Sequence, residues 1–224
     1  MPIVQGRKGF NALDLLEPIS LMSTSTWVLV AHPSLPVKSV KDMDALAKAH
    51  RGKLDYASGG IGGSHHVVME SFKSVTGTHL VHVPYRGASA ALTAVESGEM
   101  PVMFSAMQPA LDRIQSNRLI PLAVATPERS KLLPNVATIS ESGVPGFTFA
   151  TWTGILAPKG TPPAIITRLN GEIPRALTDS GVVAKLAALG GTPQPTSPKA
   201  LAALIEDTTV RMAKVIEQAK IKAE

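Results

Sequence analysis

The chain has no cysteine and few aromatic residues, and each shortage excludes a class of function. Without cysteine it has no disulfide and no thiolate metal site, although its compartment stays open. Only 4% of the 224 residues are aromatic, and the basic residues are scattered, so the net charge of +5 does not predict nucleic-acid binding. No apolar run approaches the roughly 20 residues of a membrane-spanning helix. Met1–Gly9 contains Arg7 and Lys8 without a following apolar region, so no signal peptide is predicted.

The rest of the composition is that of an ordinary globular protein, with 44% hydrophobic and 17% charged residues. A chain of 224 residues is long enough for one large domain or two small ones with a buried core. Strand-like and helix-like segments alternate from Leu21 to Thr126, which predicts α/β layers around a mostly parallel sheet. Ligands of such sheets bind at the carboxyl ends of the strands.

The most informative stretch is Lys53–His66, which predicts a strand over 54–58, a glycine-rich turn and a helix from Ser64 to Gly77. Glycines allow backbone N–H groups to converge on one point. The first turn of a helix adds unpaired donors and the positive end of the helix dipole. The stretch therefore fits an anion-binding turn, and it fits equally well a tight turn without a ligand.

Three nucleotide-binding or catalytic motifs are excluded by the order of residues in this stretch. No Gly-Lys-Ser/Thr follows the glycines, so the turn is not a P-loop. His65 stands at the third glycine position of a dinucleotide fingerprint, and His66 at the closing glycine of a nucleophile elbow. What remains is a small anion such as a carboxylate, held by backbone N–H groups and hydroxyls.

A second strand-to-helix turn is predicted at Tyr85–Ser89, after a strand over 79–83. Arg86 in this turn is suited either to pair with a carboxylate or to be a solvated surface charge. Tyr85 either offers its hydroxyl to a ligand or packs. Trp152, in a later β-prone run, either lines a pocket or belongs to the core.

Four of the six histidines occur as His65-His66 and His79-x-x-His82. Positions three apart on a strand face opposite sides, so His79 and His82 do not converge, and no metal site is predicted. His65 either hydrogen-bonds a ligand or has a capping or packing role, and His82 is expected to be structural. The sequence assembles no nucleophile, base and orienting acid, so no catalysis is predicted.

Many segments along nearly the whole chain are informative through their order and spacing. They are VLVAHPSLP at 28–36, YASGGIGGSHH at 56–66, HVPYRG at 82–87, LAVAT at 122–126, Arg129, Leu133-Pro134, Thr138, Glu141, Gly143, Pro145-Gly146-Phe147, Trp152, Gly154 and Ala157-Pro158. Together these segments resemble the solute-binding proteins of tripartite tricarboxylate transporters, the TctC-like or Bug family.

The resemblance implies a type II periplasmic binding protein, with two α/β lobes joined by crossing strands and the ligand in the cleft. It implies a small carboxylate ligand, no cofactor, no enzymatic activity and the membrane subunits of a tripartite transporter as partners. Residues 37–148 are expected to form the second lobe. Residues 1–36 and 149–224 are expected to form the remainder of an incomplete first lobe, with the crossing strands.

By the same resemblance, the ligand-binding residues lie in the two turns and near the crossing strand. They are Ser58, Gly59, Gly62, Ser64, His65, Tyr85, Gly87 and Trp152. Two other functions stay open from the residues alone. One is an α/β enzyme that handles a phosphate or acyl group with the Ser58–His66 turn, and the other is a carboxylate sensor that reports to a signalling partner.

The chain departs from the family pattern at its beginning and at two positions. Family members begin with a secretion signal and a first-lobe segment bearing a Pro-Phe…Gly-Gly…Asp ligand loop, neither of which this sequence contains. Ser105 stands where many members have an acidic residue, and Arg86 where lysine is common. A truncated or mis-started chain is therefore expected, with apolar residues of the later helices partly exposed. These residues are Leu169, Ile173, Leu186, Leu204 and Met212.

Overall fold

The computed structural model describes residues 10–222, and within them the chain divides into two compact units. The first unit comprises Thr26–Ala150 and the described residues from Val215 onward. The second comprises the described residues up to Ser25, together with Thr151–Lys214.

Strands alternate with helices through most of the chain, which confirms the predicted α/β class. The strands are β1 Leu16–Ala31, β2 Asp55–Ser58, β3 Val81–Pro84, β4 Val102–Ala106, β5 Ile120–Val124, β6 Ala150–Pro158 and β7 Gly191–Pro193. The helices are α1 Val40–Ala49, α2 Ser64–Thr76, α3 Ala88–Glu96, α4 Met107–Gln115, α5 Pro163–Ala176, α6 Ser180–Ala188 and α7 Pro198–Gln218, and a 3-10 turn at Ala12–Asp14 precedes β1.

The sheet of the first unit has the strand order β3-β2-β4-β1-β5. β2 is parallel to both β3 and β4, with Tyr56 opposite His82 on one side and Val102 on the other. β1 pairs antiparallel with β4 and β5, so the predicted mostly parallel sheet is wrong. The parallel part nevertheless places the carboxyl ends of β2, β3 and β4 at one edge, where ligands of such sheets bind.

The centre of the first unit is the apolar second half of β1. Residues 28–31 of this strand are fully buried, which requires cover on both faces of the sheet. Phe72 of α2 packs edge-on against Phe104 of β4 and against Phe147, each at 5.9 Å between ring centroids. Burying a side chain of this size contributes about 1.5–3 kcal/mol, so α2 is held firmly against the sheet behind the glycine-rich turn.

The predicted strand, turn and helix over 54–77 are confirmed, with α2 beginning at Ser64 and followed by Gly77. Two strand boundaries differ from prediction. β1 begins at Leu16 rather than Leu21, and β3 begins at Val81, so His79 lies ahead of it. The reasoning that opposed His79 to His82 on one strand is therefore wrong.

The Thr138-x-x-Glu141 pattern predicts a capping box that opens a short helix, and these two residues form the box. The Thr138 N–H donates to Glu141 Oε2 at 2.8 Å, and the Glu141 N–H donates to Thr138 Oγ1 at 3.0 Å. The short helix expected after this box is absent, because residues 139–146 form turns. Gly143 and Pro145 lie where the helix would continue, and both residue types disfavour a helix interior.

The second unit has a smaller core. Residues 23–25 of β1 pair antiparallel with β7, and Leu21, Leu201 and Ile205 form a buried cluster that Trp152 packs against. Neither α5 nor α6 contains a buried residue. Leu169 is 42% exposed, and the other four apolar residues expected to be partly exposed are half-buried.

The predicted absence of a signal peptide concerns Met1–Gly9, which lie outside the described residues. Within residues 10–222, no helix combines the length and the apolar character needed to cross a bilayer.

Candidate functional site

Three helices of the first unit begin at the edge where the parallel strands end. α2 follows β2 through a turn over residues 58–63, here named the binding turn, α3 follows β3 through residues 85–87, and α4 follows β4 directly. None of these three helices has a side-chain cap or an acidic residue in its first turn. By contrast, α1 is capped by Ser39; in the second unit α6 is capped by Asp179, whereas α5 has no side-chain cap. The three uncapped ends therefore present backbone N–H donors and positive dipole ends suited to an anion.

The binding turn and the turn before α3 are locked together through backbone atoms. The Tyr85 N–H donates to the Ser58 carbonyl at 2.8 Å, and the Gly87 N–H donates to the Gly59 carbonyl at 3.2 Å. A Cβ added to Gly59 would lie 2.7 Å from the Ala88 nitrogen, which is closer than real Cβ contacts allow. Gly59 therefore permits an approach that no other residue permits.

Gly87 is the N-cap of α3 and has a φ of 106°. An L side chain rarely adopts this conformation, so glycine is required here by the backbone rather than by space. The glycines at 59 and 87 thus set the geometry of two adjacent helix starts.

The Ser58 side chain is fully buried beneath the binding turn. Its Oγ accepts a hydrogen bond from the Gly60 N–H at 3.1 Å and lies 2.6 Å from His82 Nε2. The hydroxyl also lies 3.2 Å from the Gly60 carbonyl, to which it can donate. Ser58 therefore holds the turn from behind.

His66, in the first turn of α2, supports the same turn at its other end. Its Nδ1 accepts a hydrogen bond from the Gly62 N–H at 3.1 Å. Its ring stacks on that of His82, with centroids 3.7 Å apart and planes at 20°. These two residues, here named the histidine stack, thus contact the binding turn through Gly62 and Ser58.

A buried polar group adjoins the histidine stack. The Tyr56 hydroxyl donates to Glu70 Oε1 at 2.6 Å, and Lys73 Nζ donates to the same oxygen at 2.6 Å. The Tyr56 ring stacks on His82 at 5.0 Å. Burial, and then the bond to Glu70, raises the pKa of Tyr56, so its hydroxyl stays protonated.

The two stacked rings are neutral near pH 7. Burial and, after it, the nearby His66 together lower the pKa of His82 to about 4. Burial also lowers the pKa of His66, and Glu70 partly opposes this while Lys73 adds to it. A neutral His66 is consistent with its Nδ1 acting as an acceptor.

His65 is half-buried, and its ring packs edge-on against Trp27 at 4.9 Å between centroids. Trp27 in turn packs edge-on against Phe149 at 5.4 Å. Burial lowers the pKa of His65, which favours a neutral ring. The packing interpretation of His65 is therefore supported by a contact, and ligand binding by this residue stays a prediction.

Seven of the eight predicted site residues lie in the two interlocked turns or the adjoining helix starts; the eighth, Trp152, is in β6 of the second unit. The Gly62 N–H is engaged by His66, and the Tyr85 hydroxyl donates to Glu99 at 2.7 Å. Burial and this bond raise the pKa of Tyr85 to about 12. Trp152 Nε1 donates to Thr208 Oγ1 at 3.2 Å.

Sequence reasoning missed the histidine stack and Trp27. His82 was assigned a structural role and His66 no role, because they are far apart in sequence and only the parallel pairing of β2 with β3 brings them together. The sequence does contain one indication that His66 has a polar partner. His66 and Glu70 are four residues apart and therefore share a helix face. Among residues 10–222, no three His, Asp or Glu side chains group in a way that would hold a metal ion.

Comparison with known proteins gives the family. Residues 2–221 match the sequence profile described as tripartite tricarboxylate transporter family receptor, TctC. Protein BugT of Bordetella pertussis is 34% identical over 215 residues, which are 95% of this chain and 66% of BugT. The chain spans 62% to 66% of the length of three such curated relatives.

Two solved structures from Rhodopseudomonas palustris have similar folds. Rpa4515 with adipate has a TM-score of 0.83 and 30% identity, covering 96% of this chain and 72% of that one. MatC (Rpa3494) with bound malate has a TM-score of 0.82 and 27% identity, covering 96% of this chain and 74% of that one. These matches confirm the expected fold class, and the profile match leads to the assignment: this chain belongs to the tripartite tricarboxylate transporter receptor family, TctC.

Proposed function

We propose that this protein is an extracytoplasmic solute-binding protein that captures a small carboxylate. The observation that carries the proposal is the convergence of α2, α3 and α4 at the carboxyl edge of β2, β3 and β4. None of these helix starts has a side-chain cap or a first-turn acid of its own. A carboxylate placed there would accept hydrogen bonds from the free N–H groups and meet three positive dipole ends.

The comparisons support the same ligand class. The similar proteins Rpa4515 and MatC are described with adipate and with malate, which are both dicarboxylates. In this chain the proposed ligand-binding residues are Ser58, Gly59, Gly62, Ser64, His65, Tyr85, Gly87 and Trp152. Direct contact is proposed for the backbone of the two turns and for the Ser64 hydroxyl, whereas the buried Ser58 acts from behind.

The lobe assignment and the partners are also proposals. Residues 37–148 are proposed to form the second lobe, and residues 1–36 and 149–224 to contribute to the first. The family name and the description of a relative, BugD, as a periplasmic binding protein support a periplasmic location and delivery to the membrane subunits of a tripartite transporter. Co-purification with those two subunits would test the delivery step.

One observation favours an enzyme. Ser58 Oγ and His82 Nε2 are 2.6 Å apart, which is the spacing of a nucleophile and its general base. The expectation that no nucleophile, base and orienting acid assemble concerns three groups, and this pair supplies only two of them. Ser58 is fully buried, however, and its Oγ already accepts the Gly60 N–H, so a substrate carbon has no approach to this oxygen. Family membership among receptors also supports binding without turnover.

The first prediction tests the proposed ligand. We expect malate or adipate to bind and to raise the melting temperature, whereas 1,6-hexanediol, a neutral analogue of adipate, does not. Ser64→Ala should weaken carboxylate binding by about 1–2 kcal/mol, since it removes one hydrogen bond to a charged group. Isothermal titration calorimetry measures both effects.

Ser74→Ala is the matched control, because Ser74 is an exposed serine near the other end of α2. Its affinity should equal that of the wild type. Binding of hexanediol as tight as that of adipate, or an unchanged affinity in both Ser64→Ala and Ser58→Ala, would place the ligand elsewhere.

A further inference from the structure

The histidine stack contacts the binding turn at two points. His66 Nδ1 accepts the Gly62 N–H at 3.1 Å, and His82 Nε2 lies 2.6 Å from the Ser58 hydroxyl, which itself accepts the Gly60 N–H. The turn is thus supported behind both of its ends by imidazole nitrogens. These contacts are made by side chains that stand behind the backbone rather than in the site.

The contact at Gly62 is possible only for one protonation state of His66. A nitrogen that accepts an N–H must carry a lone pair, so the neutral ring has its proton on Nε2. Protonation of Nδ1 would set two N–H groups against each other and break the bond. The neutral His66 ring therefore stabilises the turn, and protonation of the ring removes this stabilising hydrogen bond.

The stacking makes the two rings interdependent. With centroids 3.7 Å apart, a positive charge on one ring opposes a charge on the other. Among the described residues, the ionisable groups that act on the pair are Tyr56 from β2 and Glu70 and Lys73 from α2. Glu70 Oε1 is 4.0 Å from His66 Nε2 and favours its protonation, whereas Lys73, bonded to the same oxygen, opposes it.

We propose, on the basis of the binding function above, that His66 and His82 are positioning residues that hold the binding turn as a neutral stacked pair, and that their protonation loosens the turn and weakens ligand binding. The ligand would then be held near neutral pH and released as the pH falls.

The direction follows from the low affinity of the buried rings for protons. Burial lowers the pKa of His66 and that of His82, the latter to about 4, whereas a solvated histidine has a pKa of 6.5. A state in which the turn opens and the rings meet water binds more protons than the closed state. The closed turn is therefore favoured above pH 6.5 and loses this advantage as the pH falls towards 4.

The first measurement uses the wild-type chain without ligand. Long-range ¹H–¹⁵N spectra should show His66 as the Nε2–H tautomer at pH 7.5, and the Gly62 amide resonance should shift together with the titration of the His66 ring. A proton on Nδ1 at pH 7.5, or a Gly62 resonance that does not follow the ring, would overturn the proposal. This readout needs no ligand, so it is separate from any failure of the binding function.

The second measurement compares two substitutions of His66 by calorimetry with malate and with adipate. His66→Phe keeps a ring but removes the acceptor, so Kd should rise about two- to tenfold at pH 7.5. His66→Asn places an amide oxygen near the position of Nδ1 without a titrating group, so it should recover most of the affinity lost in His66→Phe.

The pH profile separates positioning from bulk packing. The wild-type Kd should rise with falling pH more steeply than that of His66→Asn, by up to about tenfold per pH unit for one coupled proton. Protonation of the ligand itself affects both proteins equally, so the difference isolates His66. His79→Phe, at an exposed histidine ahead of β3, is the control and should follow the wild type. Equal profiles for wild type and His66→Asn, or no recovery by asparagine, would overturn the proposal.

Discussion

At the scale of single residues, the contact of Gly59 with the next turn is the most restrictive feature of the candidate site. Its missing side chain leaves room for the Gly87–Ala88 backbone, and two hydrogen bonds between the turns depend on this approach. The glycine-rich sequence predicts a turn at this point. It did not indicate which of the glycines is required by contact, because that depends on a segment far along the chain.

The second prediction concerns this contact. Gly59→Ala places a Cβ 2.7 Å from the Ala88 nitrogen, so the two turns must move apart. We expect the free energy of unfolding to fall by about 1–3 kcal/mol, the usual cost of overpacking. Urea unfolding followed by fluorescence in a Trp152→Phe background, which leaves Trp27 of the first unit as the reporter, measures the loss.

Gly171→Ala is a control substitution that is expected to have the opposite effect on stability. A Cβ at Gly171 meets nothing within 4 Å, and the residue lies inside α5. Alanine should therefore stabilise by about 0.5–1 kcal/mol, because glycine is a poor helix former. Equal stability of Gly59→Ala and wild type would show that the turns do not touch as described.

At the scale of secondary-structure elements, α1 shows how far local sequence decides an element. The pattern Ser39-Val40-Lys41-Asp42 predicts a capped helix start, and Ser39 Oγ does accept the Asp42 N–H at 3.1 Å. Gly52 predicts the end of this helix, because glycine is common just after a helix, but the helix already ends at Ala49. The start has a side-chain signature, whereas the end depends on where the chain leaves the surface of the sheet.

The third prediction tests this cap. Ser39→Ala removes the acceptor for the Asp42 N–H and should lower the free energy of unfolding by about 1 kcal/mol. Ser39→Thr keeps a hydroxyl at the same position and should lie close to the wild type. Urea unfolding compares the three proteins, and an unchanged midpoint in Ser39→Ala would mean that the cap does not contribute to stability.

Elements that form only by pairing with a distant segment cannot be predicted from the local sequence. β7 has only three residues, begins with glycine and ends with proline, and exists because it pairs with Ser23–Ser25 of β1. β6 also pairs with β1, whose first residues, 16–20, precede the predicted start at Leu21. The histidine stack was missed for a related reason, since the pairing of β2 with β3 has no local signature. The binding turn, by contrast, was predicted because glycines, a helix start and a preceding strand are all local.

At the scale of the whole molecule, the two units differ in how much they bury. The first unit contains fully buried strand residues, such as 28–31 of β1, and helices with several buried residues, such as α2. In the second unit, α5 and α6 contain no buried residue, and Ile165 and Leu169 are more than 40% exposed. Local stability follows buried apolar contacts, so the two units should differ in how readily their helices open.

The fourth prediction follows from this difference. Amide hydrogens of α5 and α6 should exchange faster than those of α2, whose residues 66–69 are buried. Hydrogen–deuterium exchange with mass spectrometry measures each helix in the same sample. Equal protection of α5 and α2 would show that another surface covers α5, for example in a self-associated form, and dilution of the sample would then remove the protection.

The backbone contact between Gly59 and the turn before α3 also has an evolutionary consequence. Because main-chain atoms make this contact, the identity of most neighbouring side chains does not alter it. Substitutions at an exposed position such as Ser89 can therefore accumulate in duplicated copies of the gene without loss of the anion-holding geometry. Under the proposed function, copies that keep glycine at 59 and 87 would continue to capture carboxylates while they diverge in which carboxylate they prefer.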